Sequence, residues 1–264
     1  MTSIIRFQFR FRFQVGFQVL FQVLLVAATA LAQTGAVHVP HDTVNAALVK
    51  GGVLVSAPQV QVAGVQRAKP GALETQKGTT ILYVTAGDGV FAAGAQTQRL
   101  TKGDVLVVPA GATQSFTTIT SPISYLQLVV PVLAKDAKAE LVYVDRDKVA
   151  ATMKKAAPLA DGPNLRVSGG FRPFASKEKS PLAEIHTNEA DFFYIVEGRA
   201  TQVLGGTVID GKETGPGQVR GPRTEGGRTY HVTKGDIMWV PANTPHWFPE
   251  IPEALGYLLV KVFY

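Results

Sequence analysis

The sequence contains no cysteine. Disulfides, cysteine metal ligands and a cysteine nucleophile are therefore excluded, and folding has to depend on a hydrophobic core. Histidine is scarce as well, with five in 264 residues. Any site that needs an imidazole must be built from these five side chains, His38, His41, His186, His231 and His246.

Charge and helical periodicity are also limited. Charged residues make up 17% of the chain, the formal net charge is +6, and no basic cluster with interleaved aromatic residues occurs. Nucleic-acid binding is therefore not expected. Residues 51–132 contain no long amphipathic helical pattern, but show short, alternating, β-branched runs that glycine or proline separates. This pattern predicts an all-β protein.

Residues 1–32 have the features of a signal peptide. Three arginines precede an apolar stretch over 15–32, which ends in Ala30-Leu31-Ala32. The stretch is nearly long enough to span a membrane, so an uncleaved anchor is the alternative. Two glutamines within it and the small-residue ending favour cleavage before Gln33. We therefore expect an exported protein, periplasmic or secreted, without membrane attachment after cleavage and with 23 Lys and Arg against 20 Asp and Glu.

Two later stretches bring together residues that can bind a metal. In 233–248, a Lys-Gly-Asp turn and an apolar run precede a proline-rich turn, directly after which comes His246. Upstream, Glu184, His186 and Asn188 share one face of a predicted strand because the side-chain period is two. Asp191 follows the next turn and can approach His186 from the neighbouring strand. Alternatively, the histidines are packed, hydrogen-bonded core residues and Glu184 pairs with an arginine.

These two stretches resemble the two motifs of the cupin superfamily. The positions of the first motif hold Glu184, His186, Asp191 and Gly198, and those of the second hold Gly235, Pro241, Asn243 and His246. Glu184 stands where the family has histidine, and Asp191 where it has glutamate. The resemblance implies a small β-barrel in which Glu184, His186, Asp191 and His246 bind one divalent metal. Mn, Fe and Zn suit this ligand set, and the second carboxylate favours Mn or Fe.

The cupin pattern occurs twice in the chain. Residues 101–116 match 233–248 at an offset of 132, and 82–87 match 193–198 at an offset of 111. A duplicated domain follows, with two cupin-type, jelly-roll-like barrels. The ligand positions of the first copy hold residues that bind metals poorly, which are Leu73, Thr75, Thr80 and Gln114. We interpret the first barrel as structural, an interface or a support for the second.

The domain boundaries follow from the repeat and from one helix. Asp145 can cap a helix over 146–156, and Pro158, Gly162 and Pro163 end it. We expect an N-terminal barrel at 33–133, a linker with this short helix at 134–163, and a C-terminal barrel at 164–264. Residues 33–50 are expected to form an extended arm in which His38 and His41 are solvated, and His231 is expected on a surface strand.

The insertion at 205–227 separates the two motifs of the second copy. It holds eight glycines and two prolines, so we expect a flexible loop that can act as a lid near the barrel mouth. The expected lining of the pocket beside the metal consists of Asn188, Phe193, Trp239, Trp247 and Phe248.

Three functions are compatible with these observations. The first is a metal-dependent enzyme for a small organic substrate, such as an oxygenase or an isomerase. The second is a non-catalytic protein that binds a small ligand, and the third is a structural or storage protein without a working site. The fold alone does not distinguish them. A small molecule is the expected partner, and a homodimer is possible.

Overall fold

The computed structural model describes residues 35–133 and 140–264. The predicted signal peptide, 1–32, lies outside the described residues. Within them, no helix has the length and apolarity that crossing a membrane requires. The secondary structure is mostly β, as the sequence predicts.

Residues 35–133, the described part of the first half, contain one helix and eight strands. They are β1 (Val37–Val39), α1 (His41–Lys50), β2 (Gly52–Ala57), β3 (Val60–Arg67), β4 (Gly71–Leu73), β5 (Gly78–Ala93), β6 (Gln96–Thr101), β7 (Val105–Val108) and β8 (Gln114–Pro131).

The second half repeats this order and adds four strands. It contains β9 (Val142–Val144), α2 (Arg146–Met153), β10 (Ala157–Gly162), β11 (Leu165–Arg172), β12 (Ala183–His186), β13 (Glu189–Leu204), β14 (Thr207–Ile209), β15 (Lys212–Gly215), β16 (Gln218–Gly221), β17 (Arg223–Glu225), β18 (Arg228–Thr233), β19 (Ile237–Val240) and β20 (His246–Phe263). A single 3-10 turn at Lys177–Lys179 lies between β11 and β12.

The duplication is visible in the pairing of the strands. One sheet has the order β2-β3-β8-β5-β7-β9, and the other contains β10-β11-β20-β13-β19-β1. In each, a short strand (β4 or β12) also pairs with the long last strand (β8 or β20), and β6 or β18 pairs with β5 or β13. The two halves therefore have one jelly-roll topology.

The two halves exchange their edge strands. β1 precedes the first barrel but pairs with β19 of the second, and β9 precedes the second barrel but pairs with β7 of the first. The helices that follow these strands return to their own halves, because α1 packs on β2 and β3 and α2 packs on β10 and β11. Each sheet thus includes a strand from outside the residues expected for its barrel. The domain boundaries at 133 and 164 therefore stay a prediction.

A helix at His41–Lys50 corrects the expectation of an extended arm over 33–50. Only Val37–Val39 is extended, whereas α1 buries Val44, Ala47 and Leu48. The residue before the helix is Pro40, whose side chain caps nothing. The first backbone N–H, of His41, instead donates to the Asp236 carboxylate at 2.7 Å. This cap lies 195 residues away along the sequence, so no local pattern indicates it.

The second helix has the predicted start and an earlier end. Asp145 caps α2 by accepting hydrogen bonds from the backbone of Asp147 and Lys148, and Val149 and Met153 are buried as the spacing predicts. The helix ends at Met153 rather than at residue 156. Ala156 has a φ of 52°, after which the chain enters β10, a sheet strand within the expected linker.

Apolar side chains form three clusters. One fills the interior of the first barrel around Phe91 and Phe116, and a second fills the interior of the second around Phe193 and Phe248. The largest lies between the two sheets, contains residues of both, and includes Trp239. This division decides which side chains can line a cavity inside the second barrel.

Candidate metal centre

Three strands bring the predicted ligands to one place in the second barrel. Glu184 on β12 lies directly opposite His246, the first residue of β20. Asp191 lies near the start of β13, which pairs with both β19 and β20. His186 ends β12, two residues after Glu184 and on the same face. The side chains that the motifs selected therefore converge inside the barrel.

The four side chains face one another with their nitrogen and oxygen atoms. His186 Nε2 lies 3.4 Å from Asp191 Oδ2 and 3.9 Å from Glu184 Oε2. His246 Nε2 lies 3.7 Å from the same Asp191 oxygen and 3.6 Å from the same Glu184 oxygen. Ligand atoms about 2.1 Å from a tetrahedral metal are about 3.4 Å apart. The observed spacing is close to that value.

The hydrogen bonds of the two imidazoles fix which nitrogen faces this point. His246 Nδ1 lies 3.2 Å from the carbonyl oxygen of Thr244, which can only accept, so Nδ1 carries the proton. His246 Nε2 is buried and has no hydrogen-bond partner among the described residues. In the neutral ring, its lone pair faces two carboxylate oxygens. A cation at this point would satisfy all of these atoms, so the donor set fits a divalent metal.

His186 is oriented in the same way by a residue that the sequence analysis did not select. Its Nδ1 donates to the side-chain oxygen of Gln218 at 2.5 Å, which directs Nε2 towards Glu184 and Asp191. Gln218 in turn donates to Glu189 at 3.3 Å. Such outer partners hold a histidine ligand in one tautomer and one orientation.

A second acidic group lies next to the first. His186, Glu189 and Asp191 also come close enough to hold a cation. Lys261 already provides a positive charge to this group, because its ammonium contacts Glu189 at 2.5 Å and Asp191 at 3.1 Å. At the point shared with His246, Asp191 presents Oδ2 rather than the Oδ1 that Lys261 contacts, and Arg172 Nη2 lies 3.5 Å from Glu184 Oε2. We therefore place the candidate metal between the two imidazoles and the carboxylates of Glu184 and Asp191. Lys261 and Glu189 contact these ligands without binding the metal.

Burial and charge act against each other on the ionisable groups. Burial raises the pKa of Glu184, but the His246 imidazole and the guanidinium groups of Arg172 and Arg220 outweigh it and lower the pKa to about 2. Burial likewise raises the pKa of Asp191, and His186 and Lys261 bring it below its usual value. Burial lowers the pKa of His186, but Asp191 outweighs this effect and leaves the pKa raised. Both carboxylates are therefore ionised at neutral pH.

Two arginines pair with Glu184, as the alternative interpretation of this residue expected. Arg220 Nη2 lies 3.0 Å from Oε1, and Arg172 Nη2 lies 3.5 Å from Oε2. Arg220 takes Oε1, whereas Oε2 faces both histidines and is also the oxygen that Arg172 contacts. Arg172 also places its guanidinium 5.3 Å from the centre of the Phe248 ring.

The expected flexible loop at 205–227 is wrong, because this segment forms β14, β15, β16 and β17. β16 pairs with β12, so that Gln218 lies opposite His186 and Arg220 lies opposite Glu184. Four of its eight glycines occupy turns with positive φ, at Gly205, Gly206, Gly217 and Gly226. Branched residues between these turns, such as Val208 and Val219, supply the strands.

The cavity walls differ from the expected set. A cavity of about 380 Å³ lies beside the ligands, with Phe193, Tyr257, Leu259 and Phe263 as its apolar walls. Phe193 was predicted, whereas Trp239, Trp247, Phe248 and Asn188 do not line it.

Strand parity explains two of these four corrections, those at Trp239 and Trp247. Trp239 alternates with Met238 and Val240, which face the barrel interior, so its ring enters the core between the sheets. Trp247 is opposite in parity to His246, and its indole donates to the Pro181 carbonyl. Phe248 lies in the interior core, and Asn188 is exposed beyond the end of β12.

The other three histidines lie away from this centre. His38 Nε2 is 3.0 Å and His41 Nδ1 is 3.3 Å from the carboxylate of Asp236; His38 is largely buried against it, whereas 44% of the His41 side chain is exposed, as expected. His231 is exposed on β18, as expected, with Thr201 nearby at 3.4 Å.

The first barrel has the same positions without the ligands. Leu73 pairs with Gln114 as Glu184 pairs with His246, and Thr80 pairs with Val108 as Asp191 pairs with Val240. The repeat offsets in the sequence therefore identify structurally equivalent residues.

Comparisons with known proteins agree with the geometry at the level of fold. The model of the AraC-like ligand binding domain matches residues 72–141. A salicylate 1,2-dioxygenase from Pseudaminobacter salicylatoxidans is similar with a TM-score of 0.62, 10% identity and coverage of 86% of this chain and 84% of its own. The protein Ylba from E. coli is similar with a TM-score of 0.56, 17% identity and coverage of 90% and 95%.

A cupin 2 conserved barrel domain protein from Leptotrichia buccalis is also similar, with a TM-score of 0.52, 15% identity and coverage of 89% and 93%. No curated protein matches the sequence. The chain thus has the cupin fold that its two motifs predicted, and the similarity to these structures covers both barrels.

Proposed function

We propose that this protein binds one divalent metal ion in its second barrel through Glu184, His186, Asp191 and His246, and that it binds or transforms a small organic molecule there. The observation that supports the proposal most strongly is the buried Nε2 of His246, which has no hydrogen-bond partner among the described residues and faces two carboxylates. With His246 neutral, its lone pair against two carboxylates is an unfavourable contact that a cation between them would relieve.

The ligand set indicates the kind of metal and its use. Two imidazoles with two carboxylates suit Mn, Fe or Zn, and the carboxylates favour Mn or Fe. A bound ion of this type supplies Lewis acidity and orients a small molecule. The chain's own residues do the rest: Gln218 holds the His186 ring in place, and Phe193, Tyr257 and Leu259 form the apolar cavity wall.

Two kinds of activity remain as candidates. An oxygenase or isomerase is the first, and its support is the similarity in fold to a protein named as a dioxygenase. A non-catalytic ligand-binding protein is the second, and its support is the ligand-binding domain model that matches 72–141. The first candidate requires a bound metal, so metal binding distinguishes it from a barrel that holds none.

The metal content of the purified protein tests the proposal. The full chain, isolated without chelators, is analysed by mass spectrometry for Mn, Fe and Zn, and is then stripped and reloaded with each ion. We expect about one ion per chain, because the geometry provides one convergent point. Substoichiometric metal after reloading with all three ions would refute the proposal.

We also propose that the protein is exported, on the strength of the arginines and the Ala30-Leu31-Ala32 ending within residues 1–32. N-terminal sequencing of protein from the exported fraction should give Gln33. Recovery of Met1 or Thr2 in most molecules would contradict export with cleavage.

A further inference from the structure

We infer that the ligand of the second barrel is a small carboxylic acid with an apolar body, and that Arg220 and Arg172 bind its carboxylate. This inference rests on the proposed metal site and adds the chemical class of the molecule that binds beside it. Three independent features of the cavity support it: its charge balance, the geometry of the two guanidinium groups, and its apolar wall.

The charge balance points to an anion. Three carboxylates line the cavity (Glu184, Glu189 and Asp191), and three cations face them (Arg172, Arg220 and Lys261). The remaining cation of the lining, Arg166, pairs with Asp161, 2.7 Å away. A divalent ion would leave this partly buried group with two excess positive charges. Uncompensated charge is costly away from water, so an anionic ligand stabilises the loaded site.

The two arginines have donors to spare. Each guanidinium carries five N–H donors, and a carboxylate can accept two of them side by side. The ion pair of Arg220 with Glu184 uses Nη2, and 47% of the side chain is exposed at the cavity rim. The Nε of Arg172 is buried and lacks a hydrogen-bond partner among the described residues. Both groups therefore offer N–H donors to an incoming carboxylate.

Four side chains of the cavity lining offer apolar surface. Phe193, Tyr257, Leu259 and Phe263 form it within a cavity of about 380 Å³. A ligand with its carboxylate at the arginines would place the rest of its carbon skeleton against these side chains. The arginines and these four side chains together suit a small aromatic or aliphatic acid.

Arg220 is specific to the second barrel. It lies on β16, within the insertion that the first barrel lacks, whereas Arg172 has the equivalent residue Arg67 in the first barrel. Arg67 is half-buried and donates to the Ala72 carbonyl. The insertion therefore supplies the recognition residue together with Gln218, the residue that orients His186.

Calorimetry on the manganese-loaded full chain tests the inference. Benzoate, phenylacetate and pentanoate serve as probes, each beside its neutral amide. We expect the acids to bind about tenfold or more tightly than the amides, because charge-assisted hydrogen bonds to a guanidinium are lost with the amide. Arg220→Gln, measured after saturation with manganese, should lose this preference. Equal affinity for acid and amide, or no binding of any of the three acids, would overturn the inference.

The matched control is Arg223→Gln. Arg223 lies on the same insertion but pairs with Glu225 and does not line the cavity. It should keep the preference for acids, and a loss equal to that of Arg220→Gln would also count against the assignment. Failure of the wild-type chain to take up manganese, iron or zinc refutes the proposed metal site and this inference together. Manganese uptake without a preference for acids refutes this inference alone.

Discussion

The two barrels have the same fold but different interiors. Both have the same strand order, and equivalent strands pair in the same register. The first is filled with apolar side chains, including Leu73, Leu82, Phe91 and Phe116. At the equivalent positions, the second has Glu184, Phe193, Gln202 and Phe248. Turns and apolar strands therefore determine the topology, while a few interior positions near one end of the barrel determine the chemistry.

The shared features include one glycine in each barrel. Gly87 and Gly198 have φ values of 84° and 77°, and a Cβ on either would collide with a backbone carbonyl oxygen, of Pro122 or of Ala254. Glycine is required at this position in both barrels, although the interior of the first is apolar and that of the second is partly polar. The comparison thus separates positions that the fold needs from positions that the site needs.

The largest expected effect concerns these glycines. Gly87→Ala and Gly198→Ala should each reduce the free energy of unfolding by about 3 kcal/mol or more, because each combines positive φ with a backbone clash. Chemical denaturation measures the change. Gly94→Ala is the control, since Gly94 has a φ of 56° with open space around its Cβ position, and it should cost only about 1 kcal/mol. Tolerance of alanine at Gly198 but not at Gly87 would show that the two barrels do not share this requirement.

Acid should affect the second barrel through Glu184, for which the first barrel has Leu73. The pKa of Glu184 in the folded, metal-free protein is about 2, below its usual 4.5. A depressed pKa stabilises the fold above the unfolded pKa, and the contribution is lost as pH falls from about 4.5 towards 2. We expect it to be on the order of 2–3 kcal/mol.

Denaturation of metal-free protein at pH 5 and pH 3 checks this prediction. The loss of stability between the two should be smaller in Glu184→Gln than in the wild type. Glu225→Gln, which removes an exposed carboxylate paired with Arg223, should behave like the wild type. An unchanged loss in Glu184→Gln would contradict the role of this carboxylate.

A smaller effect is expected at Gln218, which lies in the insertion and has no equivalent residue in the first barrel. Gln218→Ala should weaken metal binding by about 10- to 100-fold, because His186 loses the acceptor that fixes its tautomer. Thr214→Ala, on the neighbouring strand of the same insertion and exposed, should leave the metal affinity unchanged. Equal affinities in the two variants would show that Gln218 does not position His186.

The sequence predicted the topology because its signals were local and repeated. The Lys-Gly-Asp turns, the apolar runs after them and the offsets of 132 and 111 were sufficient for two barrels. The same motifs selected the four convergent side chains. Each of these signals depends on residues close together in the chain or on direct comparison of its two halves.

The residues that were missed depend on non-local pairing. Gln218 and Arg220 reach the site because β16 pairs with β12 across more than thirty intervening residues. α1 begins where Asp236, far along the chain, accepts its first N–H. Lys261 had one local signal, because it is a lone charge in the apolar strand after Gly256. Glu189 had another, because it shares its strand face with Asp191.

The central claim is that the second barrel, and not the first, provides the metal site. Calorimetric titration of Mn²⁺ into metal-free wild-type, His246→Ala and Gln114→Ala proteins tests it most directly, with circular dichroism to confirm that each variant is folded. His246 and Gln114 are equivalent residues, buried at the start of β20 and β8. We expect a single equivalent of metal to bind the wild type and Gln114→Ala with the same affinity, and no binding to His246→Ala. Wild-type affinity in His246→Ala, or its loss in Gln114→Ala, would contradict the account.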